Sequence, residues 1–176
     1  MASLRNLPAR LASRPRLCAP VLGAAAACGF APLGLWPLTL LAVAGLIELT
    51  ARAPSWKQAA LIGWLFGVGH FTLGNNWIAT AFTYQAKMPV FLGWIAVAAL
   101  ALYLAAYPAL AALGAWLAGR RNYGALVASF AATWIVSEWL RGWVFTGFAW
   151  NPLAMAAVGP FARPGLAVLA PWLGTY

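Results

Sequence analysis

Residues 89–117 read PVFLGWIAVAALALYLAAYPALAALGAWL, without one charged side chain. A bilayer hydrocarbon core about 30 Å thick is crossed by about 20 helical residues. This stretch therefore predicts a membrane-crossing helix with length to spare, which tilt, curvature or protrusion must absorb. Pro108, in its second half, lacks a backbone donor and predicts a kink.

Four further apolar runs flank it, over about 17–30, 35–50, 58–82 and 123–145. The first two are short, and the turn between them, Ala31-Pro32-Leu33-Gly34, makes them a helical hairpin. Runs below about 17 residues also suit re-entrant segments. Gly63 and Gly67 in the third run, and Gly23 with the alanines around it in the first, lack the side chains that would hold another helix away. Beyond residue 145, Pro152, Pro160, Pro164 and Pro171 exclude one regular span. The expected fold is an all-α integral membrane protein of about five transmembrane helices plus an irregular C-terminal segment on the outer face. Its parts are a basic cytoplasmic N-terminus, 1–16, a transmembrane helical domain, 17–145, and a Pro-rich outer-face segment, 146–176, that begins a further apolar element.

Composition supports that solvent assignment. With 64% hydrophobic and 7% charged residues, polar surface is too scarce to coat a water-soluble particle of this size. The net charge of +9 comes from eleven Lys and Arg against two carboxylates, Glu48 and Glu138. These basic residues lie between apolar runs, as orientation signals do, rather than forming a nucleic-acid patch. An inside N-terminus places eight on the cytoplasmic side: Arg5, Arg10, Arg14, Arg16, Arg52, Lys57, Arg120 and Arg121. Lys87, Arg141 and Arg163 then fall outside. Cys18 and Cys28 would lie about 15 Å apart along one helix, too far for a disulfide. The basic N-terminus and the alanine run ending at Cys28 faintly resemble a lipoprotein processing site, but Pro20 and the prompt second run favour a retained helix pair.

In such a chain, intramembrane charge is informative. Glu138 and Arg141, three apart, can pair on one helix face, either to lock a helix end or to hold a lipid headgroup or protein partner. Trp77 follows Asn75 and Asn76 at the polar end of the third run, where the amides suit a phosphate contact or an ordinary turn. Trp139 and Trp143 share a helix face, and Phe148 and Trp150 lie just beyond in irregular chain. Trp77, Glu138, Arg141, Trp143, Phe148 and Trp150 thus form a candidate lipid-access rim. His70 has no ligand partners nearby in sequence and reads as a packed helix residue. No nucleophile–base motif, phosphate-binding glycine loop or metal-ligand cluster occurs, so neither a catalytic residue nor a cofactor is expected within this chain.

Phe30-Ala-Pro-Leu-Gly-Leu-Trp-Pro37, then Gly63-Trp-Leu-Phe-Gly-Val-Gly69 leading to Asn76-Trp77, then Glu138-Trp-Leu-Arg-Gly-Trp143 with Thr146-Gly-Phe-Ala-Trp150, resemble in order and spacing the apolipoprotein N-acyltransferases. Ala149 stands where that family has Pro, and Leu153-Ala154-Met155 where it commonly has a Gly-Tyr pair. The resemblance implies an inner-membrane protein of a Gram-negative bacterium. Its partners would be a phospholipid acyl donor and a diacylglyceryl-modified lipoprotein, whose α-amino group receives the acyl chain. It implies that the chemistry belongs to a separate nitrilase-like periplasmic domain using cysteine, glutamate and lysine, expected beyond Tyr176. Cys18, Cys28, Glu48 and Glu138 match none of those three, so activity is not expected from these residues alone. A noncatalytic membrane scaffold or subunit is the alternative reading. A small transporter is disfavoured by the sparse polar residues.

Overall fold

The structure is a computed structural model describing residues 14–84, 88–144, 147–159 and 165–174. Arg5, Arg10, Lys87, Thr146 and Arg163 lie outside the described residues. Among those described, regular structure is helical, without strands. The longer helices are α1 (Pro15–Ala27), α2 (Trp36–Ala51), α3 (Trp56–Gly74), α4 (Trp77–Thr83), α5 (Phe91–Leu104), α6 (Ala106–Gly119) and α7 (Tyr123–Trp143). Two 3-10 turns, Leu153–Ala157 and Leu166–Leu169, and a one-turn helix α8 (Ala170–Leu173) follow.

Two apolar runs are interrupted. The run over 58–82 divides into α3 and α4 at Asn75 and Asn76. Neither asparagine side chain bonds the backbone at this break: the Asn75 amide is without a hydrogen-bond partner among the described residues, and Asn76 gives no side-chain cap. The run over 89–117 divides at Ala105, three residues before Pro108. The missing proline N–H and its ring's clash with the preceding turn account for that position. Taken through this bend, Phe91–Gly119 is the described stretch long and apolar enough to cross a membrane, at 29 residues and mean hydropathy 2.0. The helix of the first run starts at Pro15, inside the segment assigned to the basic N-terminus; Pro at a first helical position wastes no hydrogen bond.

Helix α3 is the centre of the bundle, packing on α1, α6, α5 and α2, while α7 packs along α6. Missing side chains permit these approaches. A Cβ on Gly63 would collide with the Pro108 carbonyl and Ala112, and one on Gly67 with Ala105. On the opposite side of α3, a Cβ on Gly69 would strike the Pro20 backbone, and one on Gly23 the Phe66 carbonyl. Phe66, Ile62, Leu46, Ala111 and Phe130 fill the main core.

Hydroxyl and indole groups fasten helices to one another. Thr39 Oγ1 donates to the Ala26 carbonyl at 2.8 Å, closing the α1–α2 hairpin. Thr133 Oγ1 lies 2.9 Å from the Ala111 carbonyl across the α6–α7 contact. Trp116 Nε1 donates to the Ala53 carbonyl at 2.9 Å and joins α6 to the α2–α3 turn. Such bonds stabilise by about 0.5–1.5 kcal/mol each, but strand a buried polar group when broken. Ser55 caps α3 through the Gln58 N–H, and Asn122 caps α7 through Gly124 and Ala125.

Chain direction alternates through the packed helices. Arg14, Arg16, Arg52, Lys57, Arg120 and Arg121 consequently gather at one end, which holds the starts of α1, α3 and α7. The Asn75 break, the end of α7 and the segment after it occupy the other. Large apolar side chains face outward along the bundle, among them Leu41 at 69% exposure, Leu110 at 51% and Val136 at 55%.

Candidate functional site

The last two turns of α7 turn charge inward. Ser137, Glu138 and Arg141 are each 3% exposed. Arg141 Nη2 lies 3.1 Å from Glu138 Oε1, the geometry expected of an i, i+3 pair. The same oxygen accepts the Leu153 N–H at 2.8 Å, across fifteen residues of sequence. The Arg141 guanidinium also sits 5.3 Å from the centre of the Phe71 ring on α3, within cation–π range. One carboxylate therefore holds both its own helix's arginine and the returning chain.

That return needs unusual backbone. Gly147 has φ +60° and Asn151 φ +44°, the left-handed region that glycine and asparagine tolerate best. Pro152 then leads into the Leu153–Ala157 turn. Between them, Trp150 packs against the buried cluster of Phe71, Ala101, Leu104 and Tyr107 and contacts Phe148 with ring centres 4.5 Å apart. The Asn151 side chain lies against Gly74, where any Cβ would displace it. Gly74 thereby fits the end of α3 beneath the returning segment.

The six rim candidates separate into layers. Glu138 and Arg141 are buried, Trp150 is half-buried, and Trp77, Trp143 and Phe148 are exposed. Trp143 pairs with Trp139 on the outer side of α7, with ring centres 5.9 Å apart. Trp77 belongs to α4, whose packing partner is α5. The structure thus joins Glu138, Arg141, Phe148 and Trp150 through one loop anchor, while Trp77 stands on another element. The carboxylate's hydrogen bonds suit it to positioning that loop.

Two interior contacts are not visible in the sequence, and a third residue, Asn75, is visible there only as a polar helix end. Leu153 supplies the loop anchor through its backbone, which no side-chain pattern announces. Asn75 is 1% exposed, and neither atom of its amide has a hydrogen-bond partner among the described residues. Its position within an apolar run was the available signal. Phe71 lies between His70, with ring centres 5.0 Å apart, and Arg141. His70 itself is buried against Phe30 and Phe66 as well. Among the described residues no three His, Cys, Asp or Glu side chains gather as a metal site, and Cys18 and Cys28 are unbridged.

Fold and site define an α-helical bundle with apolar outer faces, whose buried ion pair pins an aromatic loop at one end. The chain belongs to the apolipoprotein N-acyltransferase N-terminal domain family, which it matches over residues 22–176. It is 39% identical to the apolipoprotein N-acyltransferase of Ralstonia nicotianae, in a match covering 93% of this chain and 32% of that relative. Its identity to the Nitrosomonas europaea apolipoprotein N-acyltransferase is 37%, over 91% of this chain and 32% of the relative. The Vibrio cholerae apolipoprotein N-acyltransferase is 36% identical over 76% of the chain and 26% of its own length. The chain thus spans about a third of the first two relatives and a quarter of the third.

Proposed function

We propose that this chain is the membrane-embedded front portion of an apolipoprotein N-acyltransferase. In this reading it lies in the bacterial inner membrane, crosses it about five times and keeps its N-terminus in the cytoplasm. The family match over residues 22–176 carries the proposal. The outward apolar side chains and the concentration of basic residues at one end support the membrane setting and its orientation.

The complete protein would move an acyl chain from a phospholipid to the α-amino group of a diacylglyceryl-cysteine on a lipoprotein. The transfer chemistry would reside in a nitrilase-like periplasmic domain outside these residues. This bundle would present the donor lipid to that domain at the end carrying Phe148, Trp150 and the exposed Trp139–Trp143 pair. Holding the reacting ester in position removes part of the entropic barrier to attack. The Glu138–Arg141–Leu153 connection would set the height and angle of that aromatic loop.

The test is Trp150→Ala in the complete protein, assayed in cells depleted of their own N-acyltransferase. Mass spectrometry of lipoprotein N-termini is expected to show at least a tenfold fall in acyl transfer, with membrane insertion retained. Unchanged transfer would remove Trp150 from the lipid-presenting rim. An in-frame continuation lacking the Cys, Glu and Lys set would favour the noncatalytic scaffold.

A further inference from the structure

We propose that the cleft between the α2–α3 turn and the α6–α7 turn binds the phosphate of an anionic phospholipid, at the end of the bundle opposite Trp150. The cleft has a volume of about 350 Å³ and is lined by Ala51, Ala53, Pro54, Trp116, Arg120 and Arg121. It rests on the membrane reading above, but involves none of the residues assigned to acyl-donor presentation.

Among these 176 residues, no carboxylate is left over to face the two arginines of the cleft. The chain has two side-chain carboxylates. Glu48 pairs with Arg52 at 2.5 Å, and Glu138 pairs with Arg141 at the far end. No side-chain carboxylate of this chain remains for Arg120 and Arg121, both of which are exposed.

The walls are also preorganised. Trp116 is 8% exposed, its indole N–H donates to the Ala53 carbonyl, and the Arg120 guanidinium lies 4.8 Å from its ring centre. One indole thus fixes the turn on one side of the cleft and carries a cation on the other. Guanidinium groups match phosphate oxygens in geometry as well as charge. A basic recess between helices at a cytoplasmic membrane surface is suited to a lipid headgroup. Exposed Leu117 and Trp56 nearby in sequence offer apolar surface to acyl chains.

The complete protein is first subjected to alkaline carbonate extraction, then purified in detergent and titrated by native mass spectrometry with phosphatidylglycerol, phosphatidylcholine and inorganic phosphate. Resistance to extraction and preferential retention of phosphatidylglycerol are expected. Arg120→Gln with Arg121→Gln should weaken that retention by about tenfold to thirtyfold, from the usual contribution of each basic residue near an anionic surface. Arg14→Gln with Arg16→Gln, which removes the same number of charges at the same end but outside the cleft, should change it by less than about twofold if local geometry prevails over diffuse charge. Equal losses in the two variants would overturn the proposal in favour of diffuse attraction. Competition by inorganic phosphate at equal concentration would overturn it in favour of a free-anion site. No lipid preference in a carbonate-resistant protein would overturn the cleft assignment alone, whereas release by carbonate would overturn the membrane reading too.

Discussion

Glu138 accepts two bonds through one oxygen, and that geometry decides what its removal does. Glu138→Ala would leave the 3% exposed Arg141 without its carboxylate and the Leu153 N–H without its acceptor. Removing one partner of a buried ion pair costs about 3–5 kcal/mol, much of it from the charge left behind. Thermal unfolding of the detergent-purified protein should register that loss. Glu138→Gln keeps an acceptor for Leu153 and should unfold at a temperature between those of the wild type and the alanine variant. Equal destabilisation by Ala and Gln would place the contribution in the charge rather than in the loop anchor. Asn75 differs in kind, because its buried amide lacks a described partner rather than sharing one. Burying such a group ordinarily opposes folding.

Between elements, the decisive contacts are places where side chains are missing. The α3 helix meets α6 across Gly63 and Gly67, with Pro108, Ala112 and Ala105 directly opposite. Packed interiors accommodate added methyl groups poorly, and overpacking ordinarily costs about 1–3 kcal/mol. Gly67→Val should lower stability by that amount and displace α6 from α3. A lowered denaturation midpoint, with weakened disulfide trapping between cysteines introduced on the two helices, would register both effects. An unchanged midpoint would show that Ala105 can move aside. The same absence of side chains at Gly74 lets Asn151 lie against the end of α3. Close helix packing and loop placement therefore share one physical device.

Across the whole molecule, alternating chain direction gathers most of the described basic residues at one end and places the Phe148–Trp150 loop at the other. For the proposed orientation, after Cys18 and Cys28 are replaced by serine, Lys57→Cys should be labelled by an impermeant thiol reagent only from the cytoplasmic face. Phe148→Cys should be labelled only from the opposite face. The reverse pattern would invert the topology while leaving the bundle intact. The sequence by itself determined the helical class, because long apolar runs with few charges restrict the backbone to structures that satisfy their own hydrogen bonds. Its motifs determined the family, and the i, i+3 spacing of Glu138 and Arg141 made their pairing legible. Tertiary structure decided that this pair is buried beneath the Phe148–Leu153 loop, that α3 is the central helix, and that the run over 58–82 breaks at a buried asparagine. It also decided that Leu153 closes the loop and that Trp116 joins two distant turns. Helical periodicity records neighbours three and four residues apart, whereas these contacts depend on how separate helices cross and where the chain returns.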